Sequence, residues 1–263
     1  MVAHRGSSHE KPEHTLAAYV AALDTGAEGL ECDVRLTSDG HLVCVHDRRV
    51  DRVTNGRGAV SVKELAELDQ LDFASWKNPW ADLDDEAPEI DEEHRRVLTL
   101  HRLLEVARDY DRPVDLAIET KHPTRYAGLV ERRLVEMLTR FGLAGAGSPA
   151  RVMSFSPVAL TRVRRLAPEL DVVLLIDRPF SRPRSTGMLR PDWVAGPGID
   201  LLRESPRLGR RLRERGRRVH VWTANTAEEL DLCLSLGVEA VITDNPRAAL
   251  DHLNGHAGGG APT

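Results

Sequence analysis

The chain has 263 residues, 41% hydrophobic and 29% charged, with a formal net charge of −5. These proportions belong to a soluble globular protein, the acidic balance argues against a nucleic-acid or anionic-membrane partner, and no apolar run approaches the ~20 residues that span a bilayer. Three cysteines, Cys32, Cys44 and Cys233, are odd in number and far apart, which fits reduced thiols in a cytoplasmic protein and offers no zinc motif.

Short β-branched runs alternate with longer amphipathic stretches. The candidate strands, in chain order, are "VAHR", "GLECDVRL", "HLVCVHD", "PVDLAIET", "RVMSFS", "DVVLLID", "GIDLL", "RVHVWTAN" and "EAVITDN". The first begins so near Met1 that no signal peptide is expected. Between most of them lie helical patterns: Thr15–Leu23 with a stop at Gly26, Leu129–Leu138, and Leu230–Leu236 with a stop at Gly237. Strands alternating with helices predict a parallel α/β protein. A (β/α)8 barrel leads, with a doubly wound sheet as the alternative. Nine strand candidates for eight barrel places mean that one is misread or extra.

Only "TSDGH" separates the second and third candidates, too little for a parallel crossover. Asp39-Gly40 is a hairpin signal, and a two-residue loop there would set Asp33 opposite His46 across the ladder. From about Arg48 to Arg112 the rhythm breaks. "VTNGRGAV" reads as loop, "SVKELAEL" as a short capped helix, "ASWKNPW" holds two of the four tryptophans, and residues 82–93 are densely acidic. This stretch is expected to be a small insertion over one end of the barrel, and the acidic run a solvated face. The domain is expected to span residues 1–253, with 254–263 a disordered tail.

Charge gathers at the strand ends: His4 and Arg5, then Glu31 and Asp33, then His46-Asp47, then Glu119 and Lys121. Barrel enzymes collect reactive groups at the C-terminal mouth, and charge inside a buried strand must be paired or bound to a metal. Three carboxylates together favour a hard divalent cation, Mg²⁺ or Ca²⁺. Two imidazoles, an arginine and a lysine beside them suit phosphodiester chemistry. Taken singly, Glu31, Asp33 and His46 read equally well as core ion pairs or hydrogen-bonded core groups.

These residues lie in motifs, "HRG" at 4–6, "PEHT" at 12–15, "ECDV" at 31–34, "TSDG" at 37–40 and "HD" at 46–47. In that order, followed by "IETK" at 118–121, "SF" at 154–155, "VWTAN" at 221–225 and "ITDNP" at 242–246, the sequence resembles the short, soluble bacterial members of the glycerophosphodiester phosphodiesterase family. The resemblance runs nearly end to end. It implies a TIM barrel with an insertion after the His46 strand, His4 and His46 as catalytic acid and base, and Glu31, Asp33 and Glu119 as ligands of a divalent metal. It implies that Arg5 and Lys121 serve the phosphate, and that Phe155 and Trp222 line the pocket. Two positions depart from the family pattern. His14 stands where an asparagine is usual, and no proline precedes Thr99.

The activity implied is metal-dependent hydrolysis of glycerophosphodiesters, such as glycerophosphocholine or glycerophosphoethanolamine, to glycerol 3-phosphate and an alcohol. Two alternatives keep the barrel. A lysophospholipase D or sphingomyelinase D-like enzyme would need an apolar groove, for which Phe73, Trp76 and Trp80 are the candidates. A non-catalytic barrel would show no metal-restored turnover. The Arg-rich stretch at 207–219 is expected to be a solvated helix face and no nucleic-acid site. The expected partner is therefore a small molecule, without stable membrane insertion, and oligomeric state is not legible.

Overall fold

In a computed structural model, residues 1–77, 92–177 and 189–258 are described. Nine strands are present: β1 (Val2–His4), β2 (Gly29–Leu36), β3 (Leu42–Cys44), β4 (Asp115–Thr120), β5 (Ala150–Ser154), β6 (Asp171–Ile176), β7 (Val194–Pro197), β8 (His220–Val221) and β9 (Ala240–Thr243). Eight of them run parallel in the order β7-β6-β5-β4-β2-β1-β9-β8. Parallel bridges from Ala195 to Val219 and from Gly198 to Trp222 join β7 to β8 and bring the barrel to near closure. The fold is a TIM barrel.

The ninth strand is the extra one. β3 lies antiparallel on β2, with Val34 opposite Cys44 and Leu36 opposite Leu42. The loop here has three residues, because Thr37 N–H donates to the His41 carbonyl at 2.9 Å and Gly40 takes φ 90°, the geometry of a three-residue hairpin ending in a left-handed residue. Asp33 therefore faces Val45, whose N–H donates to the Asp33 carbonyl at 3.0 Å. His46 falls one residue beyond the expected position.

Three further sequence readings change. "GIDLL" belongs to a helix, Ile199–Glu204, and the seventh barrel strand is "VAGP" just before it. A side chain at Gly196 would strike Val173 at 2.8 Å, so this position admits none of the β-branched residues by which strands are recognised. Residues 100–109, expected within the insertion, form the helix that precedes β4, capped by the Thr99 hydroxyl. The C-terminal helix runs from Pro246 to Gly258 and packs on the helices Leu16–Thr25 and Ala227–Leu236, beyond the expected end at 253. Residues 259–263 of the expected tail, and most of the acidic run at 82–93, lie outside the described residues.

The expected helix stops hold. Gly26 and Gly237 end their helices with φ 102° and 62°, backbone that glycine adopts without strain. On β2, Leu30, Cys32, Val34 and Leu36 face the helical layer and join the main core. Glu31, Asp33 and Arg35 alternate to the other face, as the period of two requires. The barrel interior holds Val2, Ala117, Met153, Val173 and Ile242. A satellite core of Val43, Val45, Val50, Val60, Leu68, Phe73 and Val97 lies under the segment between β3 and β4. All three cysteines are free and buried, and no described helix is long and apolar enough to cross a membrane.

Candidate active site

β2 and β4 pair in register with Asp33 beside Glu119, while β1 pairs His4 with Glu31. Register alone thus brings three carboxylates together from two strands. Glu31, Asp33 and Glu119 are buried, and one oxygen from each lies within 4.8 Å of the others. Burial, reinforced by the Asp33 charge, pushes Glu31 well above the usual carboxylate range and raises Glu119 to about 8. Burial works against the Asp33 anion too, yet His14, Lys121 and Arg5 overcome it and hold Asp33 low. Three such carboxylates cannot all ionise without a cation among them. The Asp33 Oδ1 atom is buried without a hydrogen-bond partner. An all-oxygen donor set whose Asp33 Oδ1 has only the Lys121 ammonium, at 3.3 Å, beside it fits a hard divalent cation.

Each imidazole is backed by a carboxylate. His4 Nδ1 donates to Asp244 Oδ1 at 2.6 Å, leaving Nε2 3.9 Å from Glu31. Asp244 is fixed in turn by the Ser8 hydroxyl at 3.0 Å and the Asn225 amide at 2.7 Å. His46 Nδ1 donates to Asp47 Oδ1 at 2.7 Å. Arg52, bound to the other oxygen, pulls Asp47 down to about 2 against the effect of its burial. Burial lowers the pKa of His46, and Arg5 and Lys121 lower it further. A carboxylate on Nδ1 sets the ring tautomer and turns Nε2 toward a substrate.

Arg5 adopts φ 58° immediately after β1. Its N–H donates to Glu31 Oε2 at 3.0 Å, and its guanidinium lies 3.1 Å from both Glu13 and Asp33. Lys121 Nζ sits 2.8 Å from Glu119 and 3.3 Å from Asp33. Phe155 follows β5 and Trp222 follows β8. Their rings meet edge to face at 5.4 Å, and the Trp222 indole donates to the Gly196 carbonyl at 2.7 Å. Arg5, Lys121, Phe155 and Trp222 lie just beyond the C-terminal ends of barrel strands, Glu31, Asp33 and Glu119 lie within β2 and β4, and His46 follows β3.

Sequence reasoning left four supporting groups unassigned. Asp244 lay in a quoted motif, and a carboxylate one residue past a strand was the available signal. Glu13 is bound by Arg5 and by Arg52, whose guanidinium donates at 2.7 and 2.9 Å. Asn225 carries Asp244. His14 is 5% exposed with φ 60°. Its Nε2 stands 2.9 Å from Asp33 Oδ2 and its Nδ1 2.8 Å from the Tyr19 hydroxyl. Burial lowers its pKa; Nε2–H donates to Asp33, and the Tyr19 hydroxyl beside Nδ1 gives its own hydrogen to the Glu31 carbonyl at 3.1 Å.

Phe73 is buried in the satellite core, Trp76 packs on that core with its indole donating to the Phe73 carbonyl at 3.0 Å, and Trp80 lies outside the described residues. Arg207, Arg210, Arg211 and Arg213 face solvent on the helix Pro206–Glu214, with Gly209 and Leu212 buried beneath.

Comparison with known proteins yields the same pattern. Residues 4–248 match a family model described as the glycerophosphoryl diester phosphodiesterase family. The chain is 44% identical over 250 residues to a probable glycerophosphodiester phosphodiesterase 1 of Mycobacterium tuberculosis, covering 94% of this chain and 89% of the relative. It is 33% identical to a glycerophosphodiester phosphodiesterase of Bacillus subtilis, covering 93% and 83%. Among solved structures, a phosphodiesterase of Oleispira antarctica in complex with the product sn-glycerol-3-phosphate matches with a TM-score of 0.79 and 25% identity, over 96% of each chain.

Proposed function

The chain belongs to the glycerophosphoryl diester phosphodiesterase family, and from that membership we propose that it splits glycerophosphodiesters into glycerol 3-phosphate and an alcohol by acid-base catalysis between His46 and His4. The observation that carries this reading is the buried triad of Glu31, Asp33 and Glu119 beside two imidazoles, each oriented by its own carboxylate. Glu31, Asp33 and Glu119 would hold one divalent cation, Mg²⁺ or Ca²⁺, which supplies Lewis-acid polarisation of the phosphate.

The remaining chemistry falls to side chains of the chain itself. The Arg5 guanidinium, anchored by Glu13 and Asp33, and the Lys121 ammonium supply positive charge for phosphate oxygens. His46, whose pKa burial and its two cationic neighbours lower, takes the proton of the attacking hydroxyl, either of water or of the glycerol 2-position. In the second case water then opens the resulting cyclic phosphate. His4, held by Asp244, gives its proton to the departing alkoxide. Phe155 and Trp222 form an apolar wall for the organic part of the substrate. Three buried free thiols agree with a cytoplasmic location.

The test is turnover of glycerophosphocholine and glycerophosphoethanolamine by the wild type and by His46→Ala and His4→Ala, with and without chelator. Loss of ~10²-fold or more in kcat is expected for each variant. Wild-type rates in His46→Ala would remove that residue from the mechanism.

A further inference from the structure

A cleft beside the carboxylate triad is lined by four cations, Arg35, Arg48, Lys121 and Arg125, and by no carboxylate among its described lining residues. In a chain of net charge −5 that segregation calls for a cause. Two of the four continue the strands that carry the triad. Arg35 lies two residues beyond Asp33 on the inward face of β2, and Lys121 two beyond Glu119 after β4. The Arg35 guanidinium is also tied to the chemistry, donating to the His46 carbonyl at 3.0 and 2.6 Å. The cleft is thus the outward continuation of the barrel mouth.

Arg48 and Arg125 form its exposed rim. Unlike Arg5 and Arg52, which carboxylates hold, neither has a carboxylate within 4 Å among the described residues. The charge of Arg48 also repels that of Arg35. Arg125 lies 5.8 Å over the Tyr126 ring, and the Tyr126 hydroxyl donates to the Ser61 carbonyl at 2.6 Å. That bond fixes the loop after β4 to the turn Val60–Val62, so two walls of the cleft are braced against each other. Like charges gathered on braced backbone raise the free energy of the empty cleft, and an anion offsets that cost.

We propose that this cleft is the subsite for a second anionic group, a phosphate or carboxylate, on the alcohol of the glycerophosphodiester, so that the enzyme selects anionic head groups over cationic ones. The inference rests on the proposed phosphodiester hydrolysis at the triad. Lys121 joins the two, facing the reacting phosphate on one side and the cleft on the other. A choline or ethanolamine head group would meet unpaired guanidinium charge there, and a phosphorylated or carboxylated one would neutralise it.

The test compares glycerophosphoinositol 4-phosphate, glycerophosphoinositol and glycerophosphocholine as substrates of the wild type, Arg48→Ala, Arg125→Ala and the double variant Arg48→Glu/Arg125→Glu. Both arginines are exposed and bind no catalytic group, so these chains should fold. The expected result is a kcat/KM for the 4-phosphate roughly tenfold above that for glycerophosphoinositol, shrinking at high salt. That ratio should fall toward one in the alanine variants and below one in the glutamate variant, with glycerophosphocholine turnover undiminished throughout. Turnover of all three substrates without preference would overturn the subsite and leave the hydrolase reading standing. Inhibition by inorganic phosphate that disappears in the variants, without head-group preference, would make the cleft a site for a free anion and overturn the proposal equally. No turnover of any substrate would overturn both readings.

Discussion

His14 is buried between Asp33 and Tyr19 and touches no solvent-facing part of the site. Its Nε2–H fixes the carboxylate whose other oxygen points into the triad, the arrangement by which outer partners orient metal-binding groups. His14→Ala should weaken Mn²⁺ binding by ~10–100-fold, measured by calorimetry. His14→Gln, which restores an N–H near the Nε2 position, should recover most of that loss, and a merely space-filling role would show no such recovery. The triad also sets a pH dependence. Glu119 titrates at about 8 against an ordinary 4.5, so below about pH 8 the cation-free protein holds a proton there that a bound cation must displace. Cation affinity should therefore rise with pH across this range. The chelated protein should lose stability as pH rises from about 4.5 to 8, because across that window the folded state keeps a proton that the unfolded state has released. Cation affinity independent of pH from 6 to 8 would contradict the crowding of the carboxylates.

At the scale of elements, the loop after β1 shows what a glycine is required for. Gly6 has φ 81°, and a Cβ there would come within 2.6 Å of the Ala18 carbonyl carbon. The close approach is therefore to the helix Leu16–Thr25 and not to a substrate. Gly40 has a similar φ of 90° with nothing within 4 Å, which makes it the control. Gly6→Ala should cost about 2–4 kcal/mol in urea unfolding, and Gly40→Ala about 1 kcal/mol. Equal losses would show that backbone conformation alone sets the cost. Elements whose sequence signal was intrinsic were legible: β2 and β4 as short β-branched runs, the first helix by its apolar spacing and glycine stop. β7 was not, because Gly196 serves the barrel interior at the expense of strand propensity. The hairpin register was missed by one residue, because the number of loop residues depends on the Thr37–His41 bond and not on the Asp-Gly pair alone.

For the whole molecule, the barrel puts residues from positions 4 to 244 around one mouth, and the gathering of the candidate residues was legible in the sequence where that of their supports was not. Glu31, Asp33 and Glu119 carry charge inside strands that should be apolar, and His4, Arg5, His46 and Lys121 carry it at or just past strand ends, a signal visible in one dimension. Asp244, Asn225 and Glu13 lie in polar loops where charge is ordinary. Only closure of β9 against β1 reveals that Asp244 serves His4. The role of the triad is tested most directly by the rate of glycerol 3-phosphate release from glycerophosphocholine after exhaustive chelation, then on return of Mg²⁺ or Ca²⁺, in wild type and Asp33→Asn. The account expects chelation to abolish wild-type turnover, one of these cations to restore it, and Asp33→Asn to remain ~10²-fold or more slower at saturating cation. Full activity in chelator, or restoration of Asp33→Asn to the wild-type rate, would contradict it.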